Sequence, residues 1–265
     1  MSEWNTPCTV SDAQRHQYHE DGFAYLRGIL DPQLLVEAES VISGAVARLR
    51  ADRHDRPLSE RSFYEKAFLQ TQNLWQHDET VHPIVFSKRL ASIAAGLMGC
   101  ERVRLYHDQA LFKEPGGGCT PWHADQHYWP LADDRSITAW IPLVDVDMSM
   151  GPLSFSIGSH RLQTHRDLAI SEDSERLIGE ALTLKQLPTA CAPFALGDVS
   201  FHSGWTFHRA GGNDSQRMRS VMTVIYIADG VRLKTLPRQQ KEADHYCPGI
   251  AEGEVIASPL NPIIT

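Results

Sequence analysis

Two prolines, Pro121 and Pro130, enclose the stretch Thr120-Pro-Trp-His-Ala-Asp-Gln-His-Tyr-Trp-Pro130, which restricts the fold more than any other part of the chain. Proline has no backbone N–H and breaks a helix interior. The aromatics Trp122, Tyr128 and Trp129 favour extended backbone. The stretch therefore reads as a strand. Side chains two residues apart on a strand leave the same face, so His123 and Asp125 converge on one point. An imidazole beside a carboxylate is a metal-ligand pair. Two His and one carboxylate on one triangular face of a ferrous ion leave its other positions open for chemistry. The third ligand must then arrive from elsewhere in the fold. The chain offers His208, in Gly197-Asp-Val-Ser-Phe-His-Ser-Gly-Trp-Thr-Phe-His208-Arg-Ala-Gly-Gly-Asn213.

A competing reading starts from the same residues. With 13 His in the chain, an isolated H-x-D motif is weak evidence and equally describes a surface hydrogen bond. His127 also forms an H-x-x-x-H grouping with His123, which on a helix would suit zinc. The bracketing prolines and the aromatics speak against that helix.

The net charge is −8, and no run of like charge is long enough for a nucleic acid or an anionic membrane, so neither partner is expected. The five cysteines are scattered at positions 8, 100, 119, 191 and 247 without a C-x-x-C pair. That fits reduced thiols in a cytoplasm. The N-terminus has no basic run followed by an apolar one, so no signal peptide is expected, and no apolar run reaches membrane-spanning length.

Along the chain, Ser11-Asp-Ala-Gln14 has the form of a capping box opening a helix to about Asp21, with Gly22 as its stop. Phe23–Leu26 alternates like a strand. Asp31-Pro32 opens a second helix, whose apolar positions Leu34, Leu35, Ala38, Val41, Ile42, Ala45 and Leu49 form one stripe suited to packing on a sheet. Residues 52–66 read as a polar loop, and Ser87–Leu97 as a third helix ending at Gly99. After Cys100 the pattern turns to strands: Arg102–Lys113, Ile137–Val144 with Pro142 marking a bulge or an edge, Leu153–Ile157, Ala195–His202, Trp205–Arg209 and Ser220–Ala228. Gly116-Gly-Gly118 and Gly158-Ser-His160 read as turns. Residues 162–190 form a polar insertion, either a surface excursion or an active-site lid. One domain over 1–265 is the simplest organisation: helices to about residue 100, then an antiparallel sandwich or barrel from about 101. Trp122, Tyr128, Trp129 and Trp205 are candidates for core or for an apolar substrate pocket. His160 and His202 read as structural.

A jelly roll would bring His123, Asp125 and His208 to one barrel mouth. Arg219 follows His208 by 11 residues, after the turn Gly211-Gly-Asn-Asp214, and a hairpin of that length could return it beside His208. Its guanidinium could there hold a carboxylate by two parallel hydrogen bonds. Arg209 and Arg217 compete for that role, and a surface salt bridge is the alternative.

The joint pattern W-H-A-D-Q-H-Y-W-P, I-T-A-W, G-P-L-S-F-S-I-G-S-H and G-D-V-S-F-H-x-x-x-x-x-H with a later Arg resembles the phytanoyl-CoA dioxygenase family, from about Tyr18 to Ser258-Pro-Leu-Asn-Pro262. The resemblance implies a mainly β fold with flanking helices, a double-stranded β-helix core with the N-terminal helices packed on one sheet. It implies an oxygenase using Fe(II), 2-oxoglutarate and O2, with His123, Asp125 and His208 as iron ligands. Arg219 would hold the distal carboxylate of 2-oxoglutarate, with Lys113 and Trp140 at further cosubstrate positions. Where some members carry a hydroxyl residue two after the distal His, this chain has Ala210. With Asp125 present, halogenation is not expected. The implied reaction removes a hydrogen atom from a small organic substrate, a natural-product intermediate, ending in hydroxylation, epimerisation, desaturation or oxidative cyclisation. A CoA thioester fits less well, for lack of a basic cluster. A cupin-type metal isomerase or lyase that needs no 2-oxoglutarate is the alternative in another class, and a non-catalytic binding relative a third.

Overall fold

The computed structural model describes residues 3–51 and 57–264. Its first part is helical for the reasons just given. Helix α1 (Asp12–Asp21) opens on Ser11, which forms a reciprocal capping box with Gln14, and closes on Gly22 in the left-handed conformation. Strand β1 (Phe23–Leu26) leads to α2 (Pro32–Leu49), capped by the Asp31 carboxylate on the Gln33 N–H. The expected polar loop is broken up by structure. Residues 52–56 lie outside the described residues, but Ser62 and Glu65 form a second capping box opening α3 (Phe63–Ala67), and β2 (Leu69–Gln72) follows. Helices α4 (His82–Val85) and α5 (Lys88–Met98) complete this half.

The strands follow: β3 (Val103–Lys113), β4 (Thr120–His123), β5 (Ser136–Pro142), β6 (Leu153–Ser156), β7 (Thr189–Cys191), β8 (Val199–Ser203), β9 (His208–Ala210), β10 (Arg219–Ala228) and β11 (Ile263–Ile264), with α6 (Glu172–Leu184) before β7 and α7 (Gln240–Tyr246) before β11. They form two antiparallel sheets. The larger runs β1-β8-β5-β10-β3-β11, with β2 also on β3; the smaller runs β4-β9-β6-β7. This is the double-stranded β-helix arrangement, with helices on one sheet.

Alternation along β10 assigns the two faces of the larger sheet. Met222, Val224 and Tyr226 meet Leu35, Ile42 and Ala45 of α2 and Leu90, Ile93, Ala94 and Leu97 of α5 in one buried core. The intervening Arg219 and Thr223 line a cavity on the opposite face. Burying that many Leu and Ile side chains, at about 1.5–3 kcal/mol each, is the main term holding the helices on the sheet.

Four expectations need correction. Residues 162–190 are no plain polar excursion. Ser171 caps α6, and Ile178 and Leu182 bury against Trp122 and Phe207. Pro142 marks neither a bulge nor an edge: it ends β5, a central strand between β8 and β10. The strand expected over Trp205–Arg209 is only His208–Ala210, because Thr206 turns back with its N–H on the Ser203 carbonyl. The connection from His208 to Arg219 is not a hairpin. β9 pairs with β4 and β6 while β10 pairs with β3 and β5, so the glycine turn carries the chain from one sheet to the other.

Candidate active site

His123 ends β4 and is paired in register with His208 at the start of β9. The two rings therefore lie side by side, with centroids 4.1 Å apart. The strand stops at His123, but Ala124 keeps extended backbone before Asp125 opens a single 3-10 turn. The two-residue alternation thus survives one step past the strand, and Asp125 joins the rings. Its Oδ1 lies 3.6 Å from Nε2 of His123 and 3.6 Å from Nε2 of His208. One ligand atom from each of the three falls within 4.8 Å of the others.

The surroundings prepare these groups as metal donors. His123 Nδ1–H donates to the Pro121 carbonyl at 2.7 Å, and His208 Nδ1–H to the Thr206 carbonyl at 3.0 Å. Both Nε2 lone pairs therefore face the shared point. Burial and the neighbouring His123 pull His208 well below its ordinary value, which keeps the ring neutral. Burial acts to raise Asp125, but His208, His123 and His202 together hold its carboxyl well below the usual range, so it stays ionised. Two imidazoles and one carboxylate, all facing one cavity, fit a divalent iron. His127, the alternative zinc partner, turns away to the Arg166 carbonyl at 3.0 Å.

The triad opens on a cavity of about 260 Å³ that Arg219 and Trp140 also line. Arg219 is 2% exposed, with its guanidinium carbon 5.7 Å from the Trp140 ring centroid. Its Nη1 donates to the Gly151 carbonyl, while its buried Nε has no partner. An unsatisfied buried cationic N–H is costly, and an incoming carboxylate would satisfy it. Gly151 makes this anchoring possible. It sits at φ +65°, and a Cβ there would stand 2.2 Å from the Gly211 carbonyl oxygen. Lys113 pairs with Arg219 across β3 and β10, but its ammonium donates to the carbonyls of Gly118 (2.5 Å) and Gly211 (2.8 Å) and is not part of the cavity lining. Burial, with Arg219 alongside, pulls Lys113 down to about 6. The competing arginines point elsewhere: Arg209 pairs with Glu175 at 2.7 Å and Arg217 with Asp147 at 3.3 Å.

The four aromatics divide. Tyr128 and Trp129 line the cavity, Trp122 packs on α6, and Trp205 lies under the Arg166 guanidinium. The chain between α3 and α4 contributes Phe68, Gln70 and Gln72 to the lining, the 162–190 insertion contributes Ile170, and α7 adds Glu242 and Tyr246. Sequence reasoning missed α7, which carries no motif, and missed the position of His202. His202, read as structural, lies on β8 outside the metal-ligand group, with Nε2 3.2 Å from Asp125 Oδ2. Its spacing of six residues from His208 is a signal, but periodicity alone does not tell which face of a fully buried strand points inward.

The phytanoyl-CoA dioxygenase (PhyH) family pattern matches residues 18–221. The 1-deoxypentalenic acid 11-beta-hydroxylase of Streptomyces exfoliatus is 29% identical over 219 residues, covering 75% of this chain and 73% of that protein. The crystal structure of the non-heme alpha ketoglutarate dependent carbocyclase SnoK from nogalamycin biosynthesis superposes with a TM-score of 0.80 at 23% identity, covering 98% of this chain and 100% of that one. That of the epimerase SnoN in complex with Fe3+, alpha ketoglutarate and nogalamycin RO gives 0.77 at 23% identity, covering 96% and 98%. The structural likenesses establish a shared fold, and the family match spans most of that fold; the chain belongs to the phytanoyl-CoA dioxygenase family.

Proposed function

We propose that this chain is a non-haem Fe(II)- and 2-oxoglutarate-dependent oxygenase that abstracts hydrogen from a small organic molecule, a natural-product intermediate. The observation that carries the reading is the convergence of His123, Asp125 and His208 on the cavity that also holds the half-satisfied guanidinium of Arg219. His123, Asp125 and His208 would hold the iron. When bound, iron and 2-oxoglutarate supply the oxidant that removes the hydrogen atom, with succinate and CO2 released.

The chain's own residues bind, orient and shield. Arg219 grips the distal carboxylate of 2-oxoglutarate through the edge of its guanidinium that Gly151 leaves open, with Trp140 as the wall beneath it. Lys113, packed behind Arg219, ties together the Gly118 and Gly211 turns. Tyr128, Trp129 and Tyr246 close the cavity against water and offer aromatic faces to substrate. Among the described lining residues Arg219 is the one permanent cation, so a substrate carboxylate or the phosphates of CoA would find no free partner there. Gln72 and Gln109 line the cavity with amides instead, the Gln109 oxygen already accepting from Gln70 at 2.6 Å, which suits an uncharged, oxygen-bearing scaffold. Hydroxylation, epimerisation, desaturation and cyclisation all begin with the same hydrogen abstraction. No described helix is long and apolar enough to cross a membrane.

The test is anaerobic addition of Fe(II) and then 2-oxoglutarate to metal-free protein. A weak visible charge-transfer band and slow succinate release in air are expected. A flat spectrum with no succinate would remove the reading.

A further inference from the structure

We propose that His202 is a positioning residue which, together with Thr138, occupies the outer oxygen of Asp125 and so keeps that carboxylate a one-oxygen ligand. The inference rests on the iron site proposed above.

The two oxygens of Asp125 have different surroundings. Oδ1 faces Nε2 of His123 and of His208, each 3.6 Å away. Oδ2 accepts from the Thr138 hydroxyl at 3.0 Å and from His202 Nε2–H at 3.2 Å. A carboxylate oxygen has two lone-pair sites, and these donors fill both on Oδ2. Oδ1 alone remains for a metal.

The placement of His202 serves that bond and no other. The residue is 1% exposed, and its Nδ1 is buried without a partner, so among the described residues the only hydrogen bond of its ring runs to Asp125. A buried unpaired acceptor is tolerated more readily than a buried unpaired N–H, which makes the ring the Nε2–H tautomer. The rings of His208, at 4.4 Å, and Phe155, at 5.3 Å, fix its orientation. His202 and Thr138 are direct partners in the β8–β5 register, so one pair of neighbouring strand residues supplies both donors. The consequence is a coordination count. Three protein atoms would leave the other positions of a bound ferrous ion open for 2-oxoglutarate and O2. Were Asp125 to chelate through both oxygens, one of these would be lost.

Metal-free full-length protein is titrated anaerobically with Fe(II), and with Co(II) while its visible d–d bands are followed, for wild type, His202→Leu, His202→Gln and Thr138→Val. His202→Leu is expected to weaken metal binding roughly 10- to 100-fold, the range for partners that orient a ligand, and to shift the Co(II) bands. His202→Gln, whose amide N–H donates at a similar reach, should recover affinity to within about threefold and restore the bands. A merely structural role would not predict that spectral recovery. Thermal unfolding verifies that each variant is folded. Should His202→Leu not fold, Thr138→Val removes the other donor and decides the matter by the same readouts. Wild-type affinity and unchanged Co(II) bands in a folded His202→Leu, or in Thr138→Val when that variant decides, overturn the inference alone. A wild-type protein that binds neither metal overturns the iron site as well.

Discussion

Replacing Arg219 by Ala tests the cosubstrate end of the site most directly. Arg219 is buried, has one Nη1 contact to Gly151 and keeps an unpartnered Nε. A carboxylate approaching that edge would make two charge-assisted hydrogen bonds, worth about 1.5–3 kcal/mol each. Truncating one partner of such a buried pair generally costs about 2–5 kcal/mol. The overlap, about 3–5 kcal/mol, corresponds to a loss of roughly 10²- to 10⁴-fold in 2-oxoglutarate affinity at about 1.4 kcal/mol per tenfold. Arg219→Lys keeps the charge but loses the planar fork, so an intermediate loss of about 10- to 100-fold is expected. The assay is anaerobic titration of the Fe(II)-loaded protein with 2-oxoglutarate, read by the charge-transfer band, beside a titration with Fe(II) alone. If Arg219→Ala binds 2-oxoglutarate within about threefold of wild type, the guanidinium does not hold the distal carboxylate. If Fe(II) binding falls by the same factor as cosubstrate binding, the residue is only a prop for the fold. A cupin-type isomerase would be indifferent to the change.

Further outcomes follow from other parts of the molecule. His208→Ala removes one of three ligands, so Fe(II) retained after desalting should fall at least roughly tenfold by metal analysis, with helix content by circular dichroism unchanged; full retention would exclude His208 as a ligand. Burial raises the Asp108 carboxyl to about 7, against the N–H groups of Leu74 and Trp75 that hold it down. Between about pH 4 and 7 the unfolded chain has released a proton that the folded chain keeps, so this group's contribution to stability is lost as pH rises, by about 4 kcal/mol at most. Denaturant unfolding at pH 5 and 8 should show that slope in wild type and not in Asp108→Asn; equal slopes refute it. Gly151→Ala sets a side chain at φ +65° against the Gly211 carbonyl. It should lower stability by about 1–3 kcal/mol, with a fall of several degrees in Tm, and weaken 2-oxoglutarate binding through Arg219; an unchanged Tm would show that the turn adjusts freely.

The sequence reading succeeded where physics acts locally and erred where it does not. The Ser11 capping box, the Gly22 and Gly99 stops and the stripe of α2 are decided within a turn or two of chain, and the helices sit where those signals put them. The capping box at Ser62–Glu65 and the Ser171 cap of α6 are equally local, but they lie in stretches so polar that the helices behind them went unread. Pro142 shows the limit from the other side. It reads as an edge signal, yet the strand it ends is central, because pairing is decided by distant partners.

By itself the sequence determined the class of fold and singled out candidate donors. Alternation made His123 and Asp125 neighbours in space, and the combined motifs pointed to His208 and Arg219. Tertiary structure alone decided that His208 lies opposite His123, that a crossing between sheets rather than a hairpin delivers Arg219, and that His202 reaches Asp125. The physical reason is range. Helix caps and strand alternation act over a few residues, whereas strand register sets His208 opposite His123 and His202 beside Thr138, far apart along the chain. That register is selected by burial of the whole sheet, not by any short stretch of chain.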